Sequence, residues 1–375
     1  MAPSYDVVVI GLGATGSAAA DALARRGRRV LGLDRFAPPH DRGSSHGRSR
    51  VIREAYFEHP LYVPLVRRAF ELWHELERDA AAALFTQTGL VSIGPPAGAV
   101  VAGARRSALE HGIAHEELDA GQIGKRWPVL HPPDGAAGLY EARAGLLAPE
   151  RCLEALLQRA AAHGAALRTG EPVLGWSASG SGVEVRTAAD TFSAGALVVS
   201  AGAWATSLLP DLALPLRVER RVVHWFAPAR DAGALRAGQC PIVLWEHVPE
   251  KMFYTTPDTG EGVKVSLHND GEPTDADTVR PPSQDDAEAA RALLDRIMPA
   301  AAGELLDART CLYTNTPDGH FLVDHHPAHP QVVIASPCSG HGFKFAPAIG
   351  ELIADLVAEG RSRADLQPFA LARLR

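Results

Sequence analysis

This sequence predicts an α/β fold in which a parallel-sheet, nucleotide-binding domain is split in sequence by a second α+β domain built on an antiparallel sheet. Three observations predict it. The apolar run Val7-Val8-Val9-Ile10 opens into a glycine turn and then an Ala-rich stretch, the strand–turn–helix order of a parallel α/β sheet. Two more apolar runs, Ala196 to Trp204 and Val332 to Ala335, lie far along the chain and read as buried strands. Between them, residues 217–267 alternate in places (Val222, His224, Phe226; Val263, Val265, Leu267), which is the period of an antiparallel sheet.

The N-terminal element carries the most information. Tyr5 to Ile10 leads into Gly11, Gly13 and Gly16, spaced G-x-G-x-x-G, and Ser17 to Arg26 reads as a helix ended by Gly27. Gly11 permits the tight turn, Gly13 lets a pyrophosphate approach the backbone, and Gly16 lets helix and strand pack closely. Free N–H groups at the helix start, with Ala14 and Thr15, would face the phosphates. A second apolar run ends at Asp34, 23 residues after Gly11, where a carboxylate accepts hydrogen bonds from a ribose; Arg35 follows it. Strand, turn, helix and acid together define a Rossmann-type unit, without separating FAD from NAD.

Downstream, Phe36 to Arg50 is a Pro/Gly/Ser loop with three Arg and two His, able to fold back over a bound nucleotide. Pro64 to Glu77 has helical periodicity, with Trp73 on the core face; Trp127 is also expected in the core. Thr88 to Ile93 reads as a strand, and a helix follows around Val100 to His111. Pro149 and Glu150 suit the first turn of an Ala-rich helix ending near His163. Ala165 to Arg168 reads as a strand, Val183–Arg186 with Thr191–Ala194 as a hairpin, and Ala196 to Trp204 as a separate strand. Asp270 to Pro282, acidic and Pro-rich, reads as a surface loop, and Asp285 to Met298 as an amphipathic helix. Cys311 to Thr314 reads as a short strand. Asp324-His325-His326-Pro327-Ala328-His329 looks like a metal cluster, but its proline context makes a hydrated loop the better reading, and no metal is expected.

Composition narrows the class. The chain has 375 residues, enough for about two domains. A net charge of −7 disfavours nonspecific binding to nucleic acid or an anionic membrane. The four cysteines show no C-x-x-C spacing, so neither zinc nor a disulfide framework is indicated. The N-terminus enters a strand directly and no apolar run reaches transmembrane length, so a cytoplasmic protein is expected. No G-x-S-x-G turn supports a serine hydrolase.

Taken alone, Cys311 reads as an ordinary buried cysteine, Lys264 as a solvated lysine, His268 as a core histidine, and Arg53 as a surface cation. Lys344 is harder to place at the surface, because Gly340 to Phe345 is otherwise small or apolar. Several segments together change these readings. Gly11 to Gly16, Gly43-Ser44 through Arg53, Cys311-Leu312-Tyr313-Thr314 and Ser339-Gly340-His341-Gly342-Phe343-Lys344-Phe345, in this order over almost the full chain, resemble the monomeric sarcosine oxidase and N-methyltryptophan oxidase family of FAD-dependent amine oxidases.

The resemblance implies a specific site. Cys311 would carry FAD through a thioether to its 8α-methyl carbon, with Tyr313 on the same face of the strand. Lys264 would sit over the flavin and stabilise the charge that develops on oxygen. His268 and Tyr254 would lie in the substrate site. Arg53 and Lys344 would hold the substrate carboxylate, Arg through two parallel hydrogen bonds and Lys as a point charge. Tyr56 and Glu58 follow Arg53 at family spacing. Arg50 and His341 would lie near the flavin ring. Ser44, Ser49, Val173, Ala201, Gly202, Trp204, Gly340, Gly342 and Phe343 complete the cofactor contacts.

The domains would then be 1–85, 145–219 and 317–375 for FAD, and 86–144 and 220–316 for substrate. Residues around Leu244 to His247 and Phe253 to Thr256 depart from the sarcosine oxidase pattern, so the side-chain pocket is expected to differ. The expected reaction is oxidation of a secondary or N-methyl amino acid by oxygen, giving an imine and hydrogen peroxide, in a monomer. A biosynthetic oxidase of a cyclic imino acid, with a pocket shaped near Trp245, is the alternative within this chemistry. A redox-silent nucleotide-binding module and an NAD-dependent dehydrogenase are the alternatives outside it.

Overall fold

The computed structural model describes residues 4–269 and 271–374; the ends of the expected FAD segments, at 1–3 and 375, and Asp270 of the expected loop lie outside the described residues. Two large sheets and one small one organise the chain. The first sheet is built on strand Ser4–Ile10, parallel to Val30–Asp34 on one side and to Thr191–Val199 on the other. Ala166–Thr169 extends it beyond Val30–Asp34, again in parallel. All five residues of Val30–Asp34 are buried, as a strand covered on both faces requires.

Thr191–Val199 is one nine-residue strand where two segments were expected. Its first half pairs antiparallel with Gly182–Thr187 and its second half parallel with His329–Ser336. The change of partner divides a continuous strand into two sequence patterns. Gly202–Trp204 is a 3₁₀ turn beyond its end.

Ala14–Arg25 packs against this sheet and between the helices Pro149–Ala162 and Ala346–Glu359. Small side chains permit the close crossing: a Cβ at Gly350 would lie 2.5 Å from the Ala18 carbonyl oxygen. Helix Val63–Ala80 covers the outer side. Its Trp73 is 1 % exposed and donates Nε1–H to the Lys344 carbonyl at 2.8 Å. A core tryptophan of this kind stabilises by about 3–5 kcal/mol, and this one also fixes the segment that carries Lys344.

Among the described residues the second sheet has nine strands. Arg217–Phe226 is its organising member, paired antiparallel with Leu305–Asn315 on one side and Val263–Leu267 on the other. The expected short strand at Cys311 is thus the end of an eleven-residue one. Lys251–Thr256 and Ile242–Val248 follow in antiparallel order. Ile242–Val248 then pairs in parallel with Leu90–Gly94, joining two stretches distant in sequence. Leu90–Gly94 in turn pairs antiparallel with Ala137–Glu141. The small sheet, Arg50–Ile52 with Gly145–Leu147 and Phe85–Gln87, leads from the first sheet toward the second.

One loop expectation is corrected, and the surface loop expected at 270–282 is refined. The stretch 324–329 is a hairpin: Leu322–His326 and His329–Ser336 pair antiparallel around Pro327 and Ala328. His326 is fully buried, with Nε2 2.9 Å from Asp211 and its ring stacked on His329. Trp176 sets its edge against both rings, and this aromatic packing is what a hydrated loop would lack. No group of three metal-ligating side chains converges among the described residues. Within 271–282, Glu272–Pro273 adds a short strand beside Glu219 and Arg220, and the rest folds back toward the first sheet.

Candidate functional site

One cavity of about 520 Å³ runs from the glycine turn to the face of the second sheet. At its first end, Gly11 adopts φ +88°, and a Cβ there would lie 2.6 Å from the Ser200 carbonyl oxygen, so only glycine fits. Gly13 precedes the helix and has no side chain to cap it; the Ala14 amide meets Ser45 Oγ at 3.0 Å, and Ala14 and Thr15 line the cavity at this helix start. Gly16 does not line the cavity; it lies against the Gly11 carbonyl, which is the packing role read from the sequence. Asp34 lines the cavity and accepts from the amides of Leu12 at 2.6 Å and Phe36 at 2.7 Å, which aim its carboxylate.

Arg35 and Trp204 meet on a residue that sequence reasoning missed. Asp277 accepts from Arg35 Nη1 at 2.6 Å and from Trp204 Nε1 at 2.9 Å, and all three line the cavity. Asp277 sits in the acidic loop, where nothing local distinguishes it from its neighbours. Val173, Ala201 and Gly202 form the adjoining wall.

The Arg-rich loop folds back as expected. Ser45 Oγ accepts from the Ala14 amide at 3.0 Å, and Glu150 accepts from the amides of Gly47 and Arg48 at 2.7 and 3.1 Å. Arg50 donates Nη2–H to the Ser44 carbonyl at 2.9 Å and lies 3.4 Å from Cys311 Sγ. Ser44, Ser49, Arg50 and Cys311 all line the cavity. Tyr313 lines it too, packed on the backbone of Gly340, where a Cβ would come within 2.4 Å of the ring.

Lys264 lies one layer behind this wall. It is 1 % exposed, does not line the cavity, and donates to the carbonyls of Gly47 at 2.9 Å and Ser49 at 2.8 Å. Burial, aided by the nearby Arg50 charge, pushes its pKa well down. Alternation along the strand set its direction; the depth comes from the loop closing over it.

At the far end, Arg53, Glu58, Tyr254, His268, His341, Gly342, Phe343 and Lys344 line the cavity. Arg53 donates to both oxygens of Glu58, at 3.0 and 2.7 Å, and its guanidinium lies over Tyr56 and Phe57. Burial pushes the Glu58 carboxyl up, but Arg53, His341 and Lys344 override it and hold the pKa at about 2.

Lys344 donates to the His341 carbonyl at 2.9 Å and reaches Tyr56 Oη at 3.4 Å. Burial first, then the Arg53 charge, lower its pKa to about 7. His341 has both ring nitrogens engaged, Nδ1 with Tyr56 Oη at 2.7 Å and Nε2 with the Gly319 carbonyl at 3.1 Å. The carbonyl can only accept, so Nε2 carries the proton and Nδ1 accepts from Tyr56. His341 therefore supports Tyr56 and Lys344 from behind. Burial lowers the pKa of His268 to about 4, and Tyr313 Oη lies 3.2 Å from its Nδ1.

The departing residues divide by strand alternation. Trp245 faces away from the cavity, 2 % exposed and stacked on Phe253 in the core behind the sheet. Leu244 and Ile242 reach the cavity in its place, beside Leu90 and Phe57. The pocket is thus shaped by Leu244, not by Trp245. Its far end combines guanidinium and ammonium groups with a neutral imidazole, a set suited to an anionic ligand that also carries a neutral amine.

Comparison with known proteins identifies the family. The profile of the DAO family, FAD dependent oxidoreductase, matches residues 6–356. The chain is 44 % identical to the monomeric sarcosine oxidase of Streptomyces avermitilis, over 100 % of this chain and 99 % of that one. It is 36 % identical to the N-methyl-L-tryptophan oxidase of Salmonella heidelberg, over 98 % and 99 %. Among solved structures, NikD, an amino acid oxidase essential for nikkomycin biosynthesis, superposes with a TM-score of 0.86 at 25 % identity, covering 98 % of this chain and 97 % of that one.

Proposed function

We propose, from the premise that this chain belongs to the DAO family of FAD-dependent oxidoreductases, that it oxidises secondary or N-methyl amino acids, with oxygen as the electron acceptor. The observation that carries this reading is the convergence of Arg53, Lys344 and a neutral His268 in the cavity that also reaches Cys311 and the glycine turn. Family membership removes the NAD-dependent and redox-silent alternatives.

The residues fit FAD. The helix start at Ala14 and Thr15, Asp34 and the Arg35–Asp277–Trp204 group suit its nucleotide part, and the wall from Ser44 to Arg50 with Cys311, Tyr313, Gly340 and Phe343 suits its ring. Bound FAD supplies the hydride acceptor. Arg50 Nη2 lies 3.4 Å from Cys311 Sγ, the sulfur that a covalent attachment would use. Segments 1–85, 145–219 and 317–375 would serve FAD, and 86–144 and 220–316 the substrate.

The chain's own residues bind and orient the substrate. Arg53 and Lys344 receive its carboxylate, and Glu58 yields part of its hold on Arg53 when they do. His268, uncharged at neutral pH, faces the amine without repelling it and offers it a hydrogen-bond acceptor. The amine must lose its proton before it is oxidised. Lys264 places a cation-forming group behind Ser49, where it stabilises charge arising on oxygen. We read the enzyme as a monomer of the cytoplasm; none of its four cysteines is in a disulfide, and no described helix is long and apolar enough to cross a membrane.

The test is a peroxide-release screen over sarcosine, other N-methyl amino acids, proline and pipecolate, with protein whose bound flavin has been confirmed. Peroxide should appear with the free acids and be strongly reduced with their methyl esters. Equal rates for acids and esters would remove the carboxylate role, and silence toward every amine would remove the assignment.

A further inference from the structure

Arg53 is aimed by a residue that does not touch the cavity. Glu141 ends the strand Ala137–Glu141 of the second sheet and is 1 % exposed. Its two carboxylate oxygens accept from consecutive amides, Glu54 N at 2.7 Å and Ala55 N at 2.8 Å. The carbonyl of that same Ala55 accepts from Arg53 Nη1 at 3.0 Å. The path is short and continuous: Glu141 fixes the Glu54–Ala55 backbone, and that backbone fixes one arm of the guanidinium. The other arm, Nη2, is the one that meets Glu58.

A second tie holds the same turn from outside. The Glu54 carboxylate meets Arg67 Nε at 2.9 Å and Arg143 Nη1 at 2.6 Å. Arg143 lies two residues beyond Glu141, so one strand end holds the turn by both its backbone and its side chain. A buried carboxylate is costly to keep, and two amide hydrogen bonds offset only part of that cost. Bidentate recognition, however, tolerates little error in position, since a group misplaced by about 1 Å can lose on the order of 10²-fold in rate or affinity.

We propose that Glu141 is the positioning residue of the substrate-carboxylate site: it holds the Glu54–Ala55 turn so that Arg53 presents its guanidinium to the carboxylate. This rests on the reading of Arg53 given above. Gln at this position keeps one acceptor but sets an NH₂ group against an amide N–H, and Asp withdraws the carboxylate by one methylene. Both should release the turn without replacing any residue that lines the cavity.

The experiment compares the flavin-bound wild type with Glu141→Gln, Glu141→Asp and Arg53→Met. The probe is propionate, a carboxylate without an amine, read as a competitive inhibitor of the amine substrate found by the peroxide screen. In both Glu141 variants, Ki for propionate and KM should rise about tenfold or more, with kcat within twofold of wild type. A merely structural role would lower the melting temperature and kcat without this selective loss of carboxylate affinity. Unchanged Ki in the Glu141 variants, with a large loss in Arg53→Met, would overturn the proposal and leave the Arg53 reading intact. Unchanged Ki in Arg53→Met would remove that reading itself. If both Glu141 variants fail to fold or to hold flavin, Glu141 belongs to the stability of the fold and the proposal fails.

Discussion

Replacing Arg53 by Met removes a guanidinium that is 4 % exposed and shares two hydrogen bonds with Glu58. Two costs follow. The first is to stability: deleting one partner of a buried pair costs about 3–5 kcal/mol, and Glu58, with its side chain 19 % exposed, places the loss near the lower end. The second is to binding: hydrogen bonds to charged groups contribute about 1.5–3 kcal/mol each. Loss of a bidentate contact then raises KM by roughly 10²-fold or more, with Lys344 retaining part of the affinity.

The pH dependence separates the two costs. In the wild type the folded Glu58 pKa, about 2, lies below its unfolded value. Its stabilisation is therefore full above the unfolded pKa and is lost as pH falls through the folded one. In Arg53→Met, burial is opposed only by the weaker influence of His341 and Lys344, so the folded pKa rises. The penalty then appears where Glu58 must ionise, and the melting-temperature gap to wild type should narrow as pH falls from 8 to 5. The double variant Arg53→Met/Glu58→Gln should recover most of the stability but not the affinity. Melting curves across pH and steady-state KM read both effects. A KM change below threefold, or a gap that widens toward acid pH, would refute this account of Arg53.

Three further outcomes are expected. Lys264→Met should slow reoxidation of the flavin by about 10²-fold, with reduction by substrate far less affected, in stopped-flow measurements; equal effects on both halves would reject its role with oxygen. Acid-denatured wild type should keep its yellow colour on the chain while Cys311→Ser releases it, and free flavin from the wild type would show that no thioether forms. Lys344, with its ligand-free pKa lowered to about 7, should lose its charge above that value. Propionate Ki should therefore rise from pH 7 to 9 while kcat rises with deprotonation of the substrate amine, and a Ki constant over this range would contradict the Lys344 assignment.

Much of this site was legible because its chemistry is written locally. The Gly11 turn, the helix start at Ala14 and Asp34 depend on backbone conformations and spacings within one strand–turn–helix unit, and the structure brings all three to one end of the cavity. The Cys-x-Tyr-Thr and Gly-His-Gly-Phe-Lys segments were legible for a different reason: they resemble a family, and the family is confirmed. Alternation along one strand correctly placed Lys264 opposite the core-facing Val263 and Val265, but could not say how deep it lay.

Trp245 shows where such local reasoning stops. Its segment reads as departing from the family pattern, yet the face it presents depends on the pairing of Ile242–Val248 with Leu90–Gly94, some 150 residues earlier. The 324–329 stretch was misread for the same reason, since Trp176 packs on His326 and His329 and Asp211 pairs with the buried His326.

By itself, then, the amino-acid order determined the nucleotide-binding unit, the family and the chemical types brought to the cavity, because these rest on short-range backbone geometry and on motifs contiguous in the chain. Only the tertiary structure decided that Glu58 occupies Arg53, that Lys264 is sealed beneath Gly47 and Ser49, that Asp277 joins Arg35 to Trp204, and that Glu141 holds the Arg53 turn. Apart from the Arg53–Glu58 pair, each of these contacts joins residues at least 70 positions apart. Such contacts arise from sheet order and from the burial that forces polar groups to find partners, and neither is written in any single stretch of sequence.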